Sequence, residues 1–419
     1  MRLIDWLKPG LQLKRWVLLG LLGIILVAYA ASYYIMLLNI PLESQMAIGI
    51  LILGLGIIYF SLKFGLNSLL KNISFLGSLT KPLDKKNVNK QVYDKRILSK
   101  GPKIVTIGGG TGSSVLLRGL KHFTTNITAI VTVADDGGGS GVLREDLGML
   151  PPGDIRSCIL ALAEMEPTME KLLQYRFQEG SLKGQSFGNL LIAAMDGTSD
   201  SFEEAIKKIN DVFAVSGNVY PVTLENLTLF GKLENGMIIQ GESKIPTTSI
   251  TENSPIESVY IEPKDASALK EAISAIKDAD IVIMGPGSLY TSILPNLLVE
   301  GICEALASKR GKLVYIPNIM TQPGETDNYS IIDHVNAIWK HCPGIPFDYV
   351  IANTGKAAEK TEDKYHDEGA SFVKVTDNDK KKLKDYNIML LEDDFVEVKN
   401  QYIRHDAVKL SKTILDLFL

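Results

Sequence analysis

The chain has few cysteines and histidines and almost no net charge. Its three cysteines lie far apart and form no C-x-x-C pair, which argues against a disulfide framework or a thiolate zinc site and favours a reducing compartment. Of its five histidines, His334 and His341 share one predicted helix without a third ligand at metal spacing. Its 44 basic and 48 acidic residues nearly cancel, but the basic excess lies before residue 100. The acidic remainder argues against nucleic acid as a partner, because phosphates require a basic face.

Two long apolar runs near the N-terminus predict a transmembrane hairpin. Residues 16–38 carry no charge and are long enough to cross a hydrocarbon core of about 30 Å, and residues 46–62 form a second span. Basic residues flank the pair, so both termini are expected in the cytoplasm. A signal peptide is the alternative, but the apolar sequence continues past the only small-residue site. We predict a hairpin at 1–64, a basic juxtamembrane linker at 65–100 and a cytosolic domain at 101–419.

After residue 100 the sequence indicates an α/β fold. Short apolar runs that end in glycine or aspartate alternate with helix-like stretches, which is typical of a parallel sheet built from βαβ units. Residues 218–245 switch to period-two patterning around a turn at Glu234-Asn235-Gly236. This stretch predicts a small antiparallel insertion.

A glycine loop follows the first strand-like run of this domain. Residues 103–107 read as a buried strand, residues 108–112 as a turn and residues 113–121 as a helix. Strand, glycine loop and helix N-terminus together form a phosphate cradle. The loop lacks the third glycine of G-x-G-x-x-G and the lysine of a P-loop. A tight turn without a ligand is therefore the structural alternative.

Two adjacent aspartates follow the next strand-like run, 127–133. Asp135 and Asp136 are expected at the same carboxyl edge of the sheet as the glycine loop, where open α/β sheets bind ligands. Paired carboxylates suit Mg2+, which also takes phosphate oxygens. Asp135 also lies about where a dinucleotide enzyme keeps its ribose-binding acid, so an NAD-dependent dehydrogenase is a further alternative. Solvated loop acids are the structural alternative.

Polar residues recur in the following loops. Asp154, after Pro151-Pro152-Gly153, is either a helix cap or a residue with a metal or substrate role. Ser186 and Asn189 open an apolar helix, where Asn189 can bond a base or sugar and Ser186 can cap the helix. No acid or histidine in this run activates Ser186, so it is not assigned as a nucleophile.

A second glycine loop follows the strand-like run 281–284. Residues 285–292 again stand between a strand and a helix, so they predict a second contact to a phosphate or a hydroxyl-rich ligand. Asn318 follows the strand-like run 313–316. Tyr365 and Arg404 are candidates to stack a base and clamp a pyrophosphate, or else form surface positions without a partner.

Seven stretches together carry a family resemblance. GGGTGSSVLLRGLK, NITAIVTVADDGGGSG, PPGDIR, GQSFGNLLIAAM, GPGSLYTSILPNLL, NIMTQPGET and YIRHD resemble the YvcK-type gluconeogenesis factor family, which is related to CofD, the 2-phospho-L-lactate transferase. The resemblance implies a Rossmann-like, doubly wound α/β fold that binds a UDP-sugar, UDP-N-acetylglucosamine. It also implies a role in bacterial cell shape, envelope synthesis and carbon metabolism.

The residues and the resemblance together name a set of ligand contacts. The set comprises Gly109, Gly110, Thr111, Gly112, Asp135, Asp136, Ser186, Asn189, Gly285, Gly287, Ser288, Tyr290, Asn318, Tyr365 and Arg404. Asp135 and Asp136 are the candidate Mg2+ ligands, and together with Asp154 they are the candidate catalytic residues of a transferase.

Two functions remain open. In the first, the chain is a regulator located in the bacterial cytoplasmic membrane. It binds a UDP-sugar, acts on an envelope-synthesis protein and forms a homo-oligomer. In the second, it is a CofD-like transferase that moves a phosphate-linked group with Mg2+ held by Asp135 and Asp136, since phosphoryl-type transfer needs positioning and charge neutralisation more than a base. Whether the protein is an enzyme is therefore undecided at the level of sequence.

Overall fold

The computed structural model describes residues 97–164, 167–399 and 401–417, together with Ser32. The chain divides into two compact units, Met1–Ile97 and Leu98–Leu419, and the elements described here belong to the second. Apart from Ser32, the predicted hairpin at 1–64 lies outside the described residues, as does nearly all of the predicted linker at 65–100.

No helix within the described residues is long and apolar enough to cross a membrane. The longest among them have 11 residues, which at about 1.5 Å per residue is about half of a hydrocarbon core of about 30 Å. The predicted localisation, a multi-pass protein of the bacterial cytoplasmic membrane with both termini and the main domain in the cytoplasm, is contradicted by this finding and is corrected accordingly.

The described strands form one large sheet and two small ones. They are β1 Ile104–Gly108, β2 Ile127–Val131, β3 Asn218–Pro221, β4 Thr228–Leu233, β5 Ile238–Gln240, β6 Ile256–Glu262, β7 Ile281–Met284, β8 Lys312–Tyr315, β9 Tyr349–Asn353, β10 Met389–Asp393, β11 Val396–Lys399 and β12 Tyr402–His405. Seven of them pair in the order β10-β9-β8-β7-β1-β2-β3, and every pairing in this sheet is parallel. The α/β fold with a mainly parallel, Rossmann-like sheet is confirmed.

Helices surround the parallel sheet and supply the rest of the core. They are α1 Gly110–Leu120, α2 Gly138–Leu147, α3 Gly153–Leu162, α4 Pro167–Gln174, α5 Phe187–Gly197, α6 Phe202–Val212, α7 Ile245–Thr251, α8 Lys270–Asp278, α9 Leu294–Leu297, α10 Ile302–Ala307, α11 Ile331–His341, α12 Glu359–Asp367, α13 Asp377–Asp385 and α14 Ala407–Asp416, with single turns at Glu242–Lys244 and Leu289–Ile293. All residues of β1 and β7 are buried, because central parallel strands are covered on both faces.

The strand order changes direction between β1 and β7. From β1 the chain builds the sheet outward through β2 to β3, and from β7 it builds outward through β8 and β9 to β10. The two loops that leave β1 and β7 therefore depart to either side of a crevice at their carboxyl ends. In open α/β sheets this switch point is where ligands bind.

The antiparallel insertion lies further along the chain than predicted. It consists of β4, β5 and β6, so it spans 228–262 and includes the predicted turn at Gly236. Asn218–Pro221, which the alternating pattern assigned to the insertion, pairs in parallel with β2 at the edge of the main sheet. An edge strand exposes one side, so its pattern resembles that of an antiparallel strand.

The structure joins Cys303 and Cys342 in a disulfide and leaves Cys158 free and buried. The expectation that the scattered cysteines would not pair is therefore wrong. Cys303 lies in α10 and Cys342 directly follows α11, so two helices that are distant in sequence bring the thiols together.

Candidate functional site

The first glycine loop joins β1 to α1 at the switch point. Gly110 has φ +66°, in the left-handed region that glycine adopts without strain. A Cβ atom at Gly112 would collide with the carbonyl group of Pro286, so only glycine lets the two loops meet. Gly109, at the N-cap of α1, provides no side-chain cap. The helix N-terminus can therefore offer backbone N–H groups to an anion.

Asp154 contacts this glycine loop from α3. It lies in the first turn of α3, whose N-cap is Pro152, so the expected role as helix cap is wrong. Its carboxylate instead accepts a hydrogen bond from the backbone N–H of Gly110, while burial and the charge of Asp135 raise its pKa to about 6. The acid links α3 to the glycine loop, a contact between residues 44 positions apart in the printed sequence.

The second glycine loop leaves β7 on the other side of the crevice. Gly285 has φ +82°, and the peptide bond between Gly285 and Pro286 is cis. Ser288 then precedes the helical turn Leu289–Ile293. The two loops touch where Pro286 lies against Gly112, so the predicted phosphate contacts come from adjacent segments.

A cavity of about 400 Å³ opens between these loops. Its walls also include the segment that follows β8 and residues from α12 and β12. Many of the predicted ligand contacts line it: Gly109, Gly110, Thr111, Gly112, Gly287, Ser288, Asn318, Tyr365 and Arg404. The tertiary structure thus gathers residues from five separate segments around one space, whose volume lies in the range of small-molecule sites.

Tyr365 and Arg404 reach the cavity from the C-terminal part of the chain. The hydroxyl of Tyr365 accepts a hydrogen bond from the backbone N–H of Ile403, at 3.0 Å. This bond ties α12 to β12, next to Arg404. The guanidinium carbon of Arg404 lies 5.2 Å from the ring centre of Tyr402, so one aromatic face already supports the cation.

The predicted acidic pair does not line the cavity. The Oδ1 atom of Asp135 accepts a hydrogen bond from Gly137 N–H at 2.9 Å, and that of Asp136 accepts one from Ser243 N–H at 2.9 Å. A Cβ atom at Gly241 would lie 2.5 Å from the other carboxylate oxygen of Asp136. Asp136 therefore holds the backbone of the antiparallel insertion.

Glu242 joins the acidic group from that insertion. Burial and the nearby charge of Asp135 raise its pKa to about 8, with further contributions from Glu325, Asp136 and Asp154. Nothing in the local sequence marks Glu242, since its neighbours come from segments more than 80 residues away. The insertion thus places a carboxyl group against the acids that follow β2.

The described part of the chain contains no group of three or more His, Cys, Asp or Glu side chains arranged to hold a metal ion. Asp136, one of the two candidate Mg2+ ligands, is engaged with backbone at 241–243. Asp135 and Asp154 lie close enough for the charge of one to raise the pKa of the other. Because Mg2+ can be held by one or two carboxylates and phosphate oxygens, these two acids fit the ion only together with a phosphate ligand.

Ser186 and Asn189 also lie apart from the cavity. Ser186 is the N-cap of α5, accepts a hydrogen bond from Asn189 N–H at 3.2 Å, and contacts the guanidinium of Arg156. Asn189 is buried, and its Oδ1 atom has no hydrogen-bond partner among the residues that the structure describes. The capping alternative for Ser186 describes what the structure shows.

Two further predicted contacts are packed away from the cavity. Tyr290 is 2% exposed and its hydroxyl lies 2.8 Å from that of Tyr329. Burial raises the pKa of Tyr290. Gly285 contacts Ile316 rather than the cavity. These two residues shape the second loop from behind.

The structure adds cavity residues that sequence reasoning did not single out. They are Val115, Pro286, Ser292, Ile319, Met320, Thr321, Gln322, Pro323, Glu368, Ala370, Ile403 and His405. Several of them lie within the stretches NIMTQPGET and YIRHD, so those stretches were the available signal. Their individual roles required the geometry.

Fold and site define the class: a Rossmann-like α/β protein with a cavity at the switch point of its parallel sheet. The model of the family described as 2-phospho-L-lactate transferase CofD matches residues 104–396. A relative from Clostridium acetobutylicum is 50% identical over 100% of this chain and 92% of its own. The chain therefore belongs to the CofD family, among its gluconeogenesis factor (YvcK) members, and the resemblance seen in the sequence is confirmed.

Other relatives match about three quarters of the chain. The gluconeogenesis factor of Halalkalibacterium halodurans is 45% identical over 76% of this chain and 97% of its own. A crystal structure of a UPF0052-family protein from Bacillus halodurans has a TM-score of 0.71 at 45% identity, over 74% of this chain and 99% of that chain. Each of these matches covers nearly the whole of the other protein.

Proposed function

We propose that the chain binds a nucleotide sugar, UDP-N-acetylglucosamine, in the cavity between its two glycine loops, and that it regulates cell shape, envelope synthesis and carbon metabolism. The observation that carries the proposal is the convergence of both glycine loops with Tyr365 and Arg404 on one cavity of about 400 Å³. A nucleotide sugar has a diphosphate, a base and a sugar. It therefore needs the glycine loops, an aromatic ring and a guanidinium group around one cavity.

The chemistry of the lining supports an anionic, ring-containing ligand. Backbone N–H groups at the N-terminus of α1 and around Gly287 suit phosphate oxygens. The guanidinium of Arg404 suits a pyrophosphate, which it can clamp with two hydrogen bonds. Tyr365 offers an aromatic face for a base.

A regulatory role needs no general base, and among the described residues that line the cavity only exposed Glu368 supplies a carboxylate and His405 an imidazole. His405 lines it, but burial lowers the pKa of its imidazole to about 4, far from the range in which a base works best. The name of the relatives, gluconeogenesis factor, supports a role in carbon metabolism. We propose further that ligand binding changes the affinity for an envelope-synthesis protein and that the chain acts as a homo-oligomer.

A second candidate function is a CofD-like, metal-dependent transfer of a phosphate-linked group. It is favoured by the family description, 2-phospho-L-lactate transferase, and by the acidic group beside the glycine loop. Asp154 bonds Gly110 and lies near Asp135, so a metal held there would be next to the phosphates. The metal would neutralise charge on the transferring group.

Calorimetric titration of the full chain separates these functions. The ligands are UDP-N-acetylglucosamine, UDP, GDP and NADH, each with and without Mg2+. Tight UDP-sugar binding without turnover supports the regulator. Arg404→Ala should weaken this binding. Arg310→Ala, at an exposed position at the opposite edge of the sheet just before β8, should leave it unaffected. A preference for GDP with a metal requirement and product formation supports the transferase, and a preference for NADH contradicts both.

A further inference from the structure

Two segments outside the regular sheet and helices of the core line the same cavity. The first wall, residues 286–292, follows β7 and contributes Pro286, Gly287, Ser288 and Ser292. The second wall, residues 318–323, follows β8 and contributes all six of its residues. Strands β7 and β8 are neighbours, so they fix the distance between the two walls where each wall leaves its strand. They do not fix the distance between the parts of the walls that lie further along the chain.

Glu325 bonds to both walls. Its Oε2 atom accepts a hydrogen bond from Tyr290 N–H at 3.1 Å, and its Oε1 atom accepts one from the Thr291 hydroxyl at 3.0 Å. The same Oε1 atom accepts a hydrogen bond from the side-chain amide of Gln322 at 2.6 Å. Tyr290 and Thr291 belong to the first wall and Gln322 to the second. One carboxylate therefore connects the two segments.

The carboxylate of Glu325 is deeply buried. The residue is 4% exposed, and burial raises its pKa to about 7 against the opposing effect of the hydrogen bonds from residues 290 and 291. Buried polar groups that lose a partner carry an energetic cost. Breaking any of these hydrogen bonds would therefore cost free energy, and it would require a wall to move away from Glu325.

We propose that Glu325 is a positioning residue of the cavity, which holds the 286–292 wall and the 318–323 wall at the separation that the ligand requires. Glu325 does not line the cavity itself, so it acts through the residues to which it bonds, Tyr290, Thr291 and Gln322. The assignment of these walls to a nucleotide sugar rests on the proposed function, whereas the connection between the walls rests on geometry alone.

Hydrogen–deuterium exchange of the full chain tests the connection. In Glu325→Ala we expect amides in both walls to exchange about tenfold faster than in the wild type, because both lose the same partner. Glu325→Gln keeps the volume and one acceptor oxygen, so exchange should return part of the way towards the wild type. This milder variant also serves if Glu325→Ala fails to fold.

Asp379 provides a matched control. It is fully buried and accepts hydrogen bonds from backbone N–H of Ile332 and Thr376 at 2.9 and 2.6 Å, but it does not line the cavity or contact its walls. Asp379→Asn should lower stability and leave both walls at the wild-type exchange rate. Equal loosening of the walls in the Asp379 variant, or unchanged walls in Glu325→Ala, would overturn the inference.

Titration of the same variants with UDP-N-acetylglucosamine links the walls to the ligand. We expect Glu325→Ala to weaken binding about tenfold, Glu325→Gln less, and Asp379→Asn less than about twofold. Failure of the wild type to bind would refute the proposed ligand and leave the exchange result to decide the role of Glu325. Normal binding by Glu325→Ala would refute the positioning role even where the wild type binds tightly.

Discussion

The carboxylate of Asp154 accepts a hydrogen bond from the backbone N–H of Gly110. A buried acid thus holds the loop that is proposed to receive the phosphates of a nucleotide. This arrangement has an electrostatic consequence, because the acid and the ligand both carry negative charge when Asp154 is ionised. The pKa of Asp154, raised to about 6 by burial and by Asp135, places that ionisation in an accessible pH range.

We expect UDP-sugar affinity measured without Mg2+ to fall as pH rises through about 6. Asp154 gains its charge over this interval and repels the diphosphate. We therefore expect Kd to rise about fivefold between pH 5 and pH 7.5. Asp154→Asn keeps an oxygen for the N–H of Gly110 and removes the charge, so its affinity should vary less with pH. Calorimetry across the pH range gives the result, and an unchanged pH dependence in the variant would contradict the assignment.

The contact between the two glycine loops predicts the effect of a single methyl group. Gly112→Ala would place a Cβ atom against the carbonyl of Pro286, so we expect ligand affinity to fall more than about tenfold and stability to fall by about 2 kcal/mol. At Gly197, in α5, an added Cβ would meet no atom of the described part of the chain within 4 Å. Gly197→Ala should therefore bind normally, and urea unfolding together with titration compares the two variants.

Removing one hydroxyl tests how the C-terminal segments reach the cavity. In Tyr365→Phe the N–H of Ile403 loses its acceptor, so β12 and the adjacent Arg404 are held less firmly. We expect affinity to fall about fivefold, the value of one hydrogen bond of about 1 kcal/mol. Tyr386→Phe changes a half-exposed ring that packs edge-on against Trp339 and should not alter binding. Equal affinity in both variants would show that the hydroxyl of Tyr365 is dispensable.

The raised pKa of Glu242 predicts that stability falls as conditions become alkaline. Burial and Asp135 raise this pKa to about 8, against an ordinary value of about 4.3. The folded state therefore keeps a proton that the unfolded state has lost, and that advantage disappears as pH rises through 8. From pH 7 to pH 8.5 we expect the free energy of unfolding to fall by about 1 kcal/mol.

The ionisation of the other buried groups makes the interval from pH 7 to pH 8.5 suitable for this measurement. The histidines with lowered pKa values, His334, His341 and His405, are mostly neutral in both states there, and Asp154 is already ionised. Glu325, whose pKa burial raises to about 7, loses its remaining proton early in the interval and adds a smaller fall of the same sign. Glu242→Gln should flatten the dependence, as followed by urea unfolding at fixed ionic strength. A slope that persists in this variant would assign the effect to other groups.

Local patterns located both glycine loops because strand, turn and helix are contiguous in each. Residues 103–121 and 281–292 contain the whole signal, and the structure keeps these elements with shifts of at most three residues. The alternation at 218–221 misled because an edge strand of a parallel sheet is also half-exposed. Patterning reports burial, and burial does not reveal which strand lies alongside.

The acids show where sequence reasoning stops. Asp135 and Asp136 are adjacent, yet one bonds its own loop and the other bonds Ser243 in the insertion. Glu242 and Glu325 were not found at all, because their partners lie in other segments. The Cys303–Cys342 disulfide was missed for the same reason.

The sequence by itself determined the α/β class, the two glycine loops and the family, since each depends on short runs of adjacent residues. Only the tertiary structure decided that Tyr365 and Arg404 meet those loops in one cavity, that Tyr290 and Asn189 do not, and that Glu325 connects two of the cavity walls. Those relations depend on strand order and on hydrogen bonds between distant segments. Spacing along the chain carries no information about which distant backbone groups a buried side chain will find.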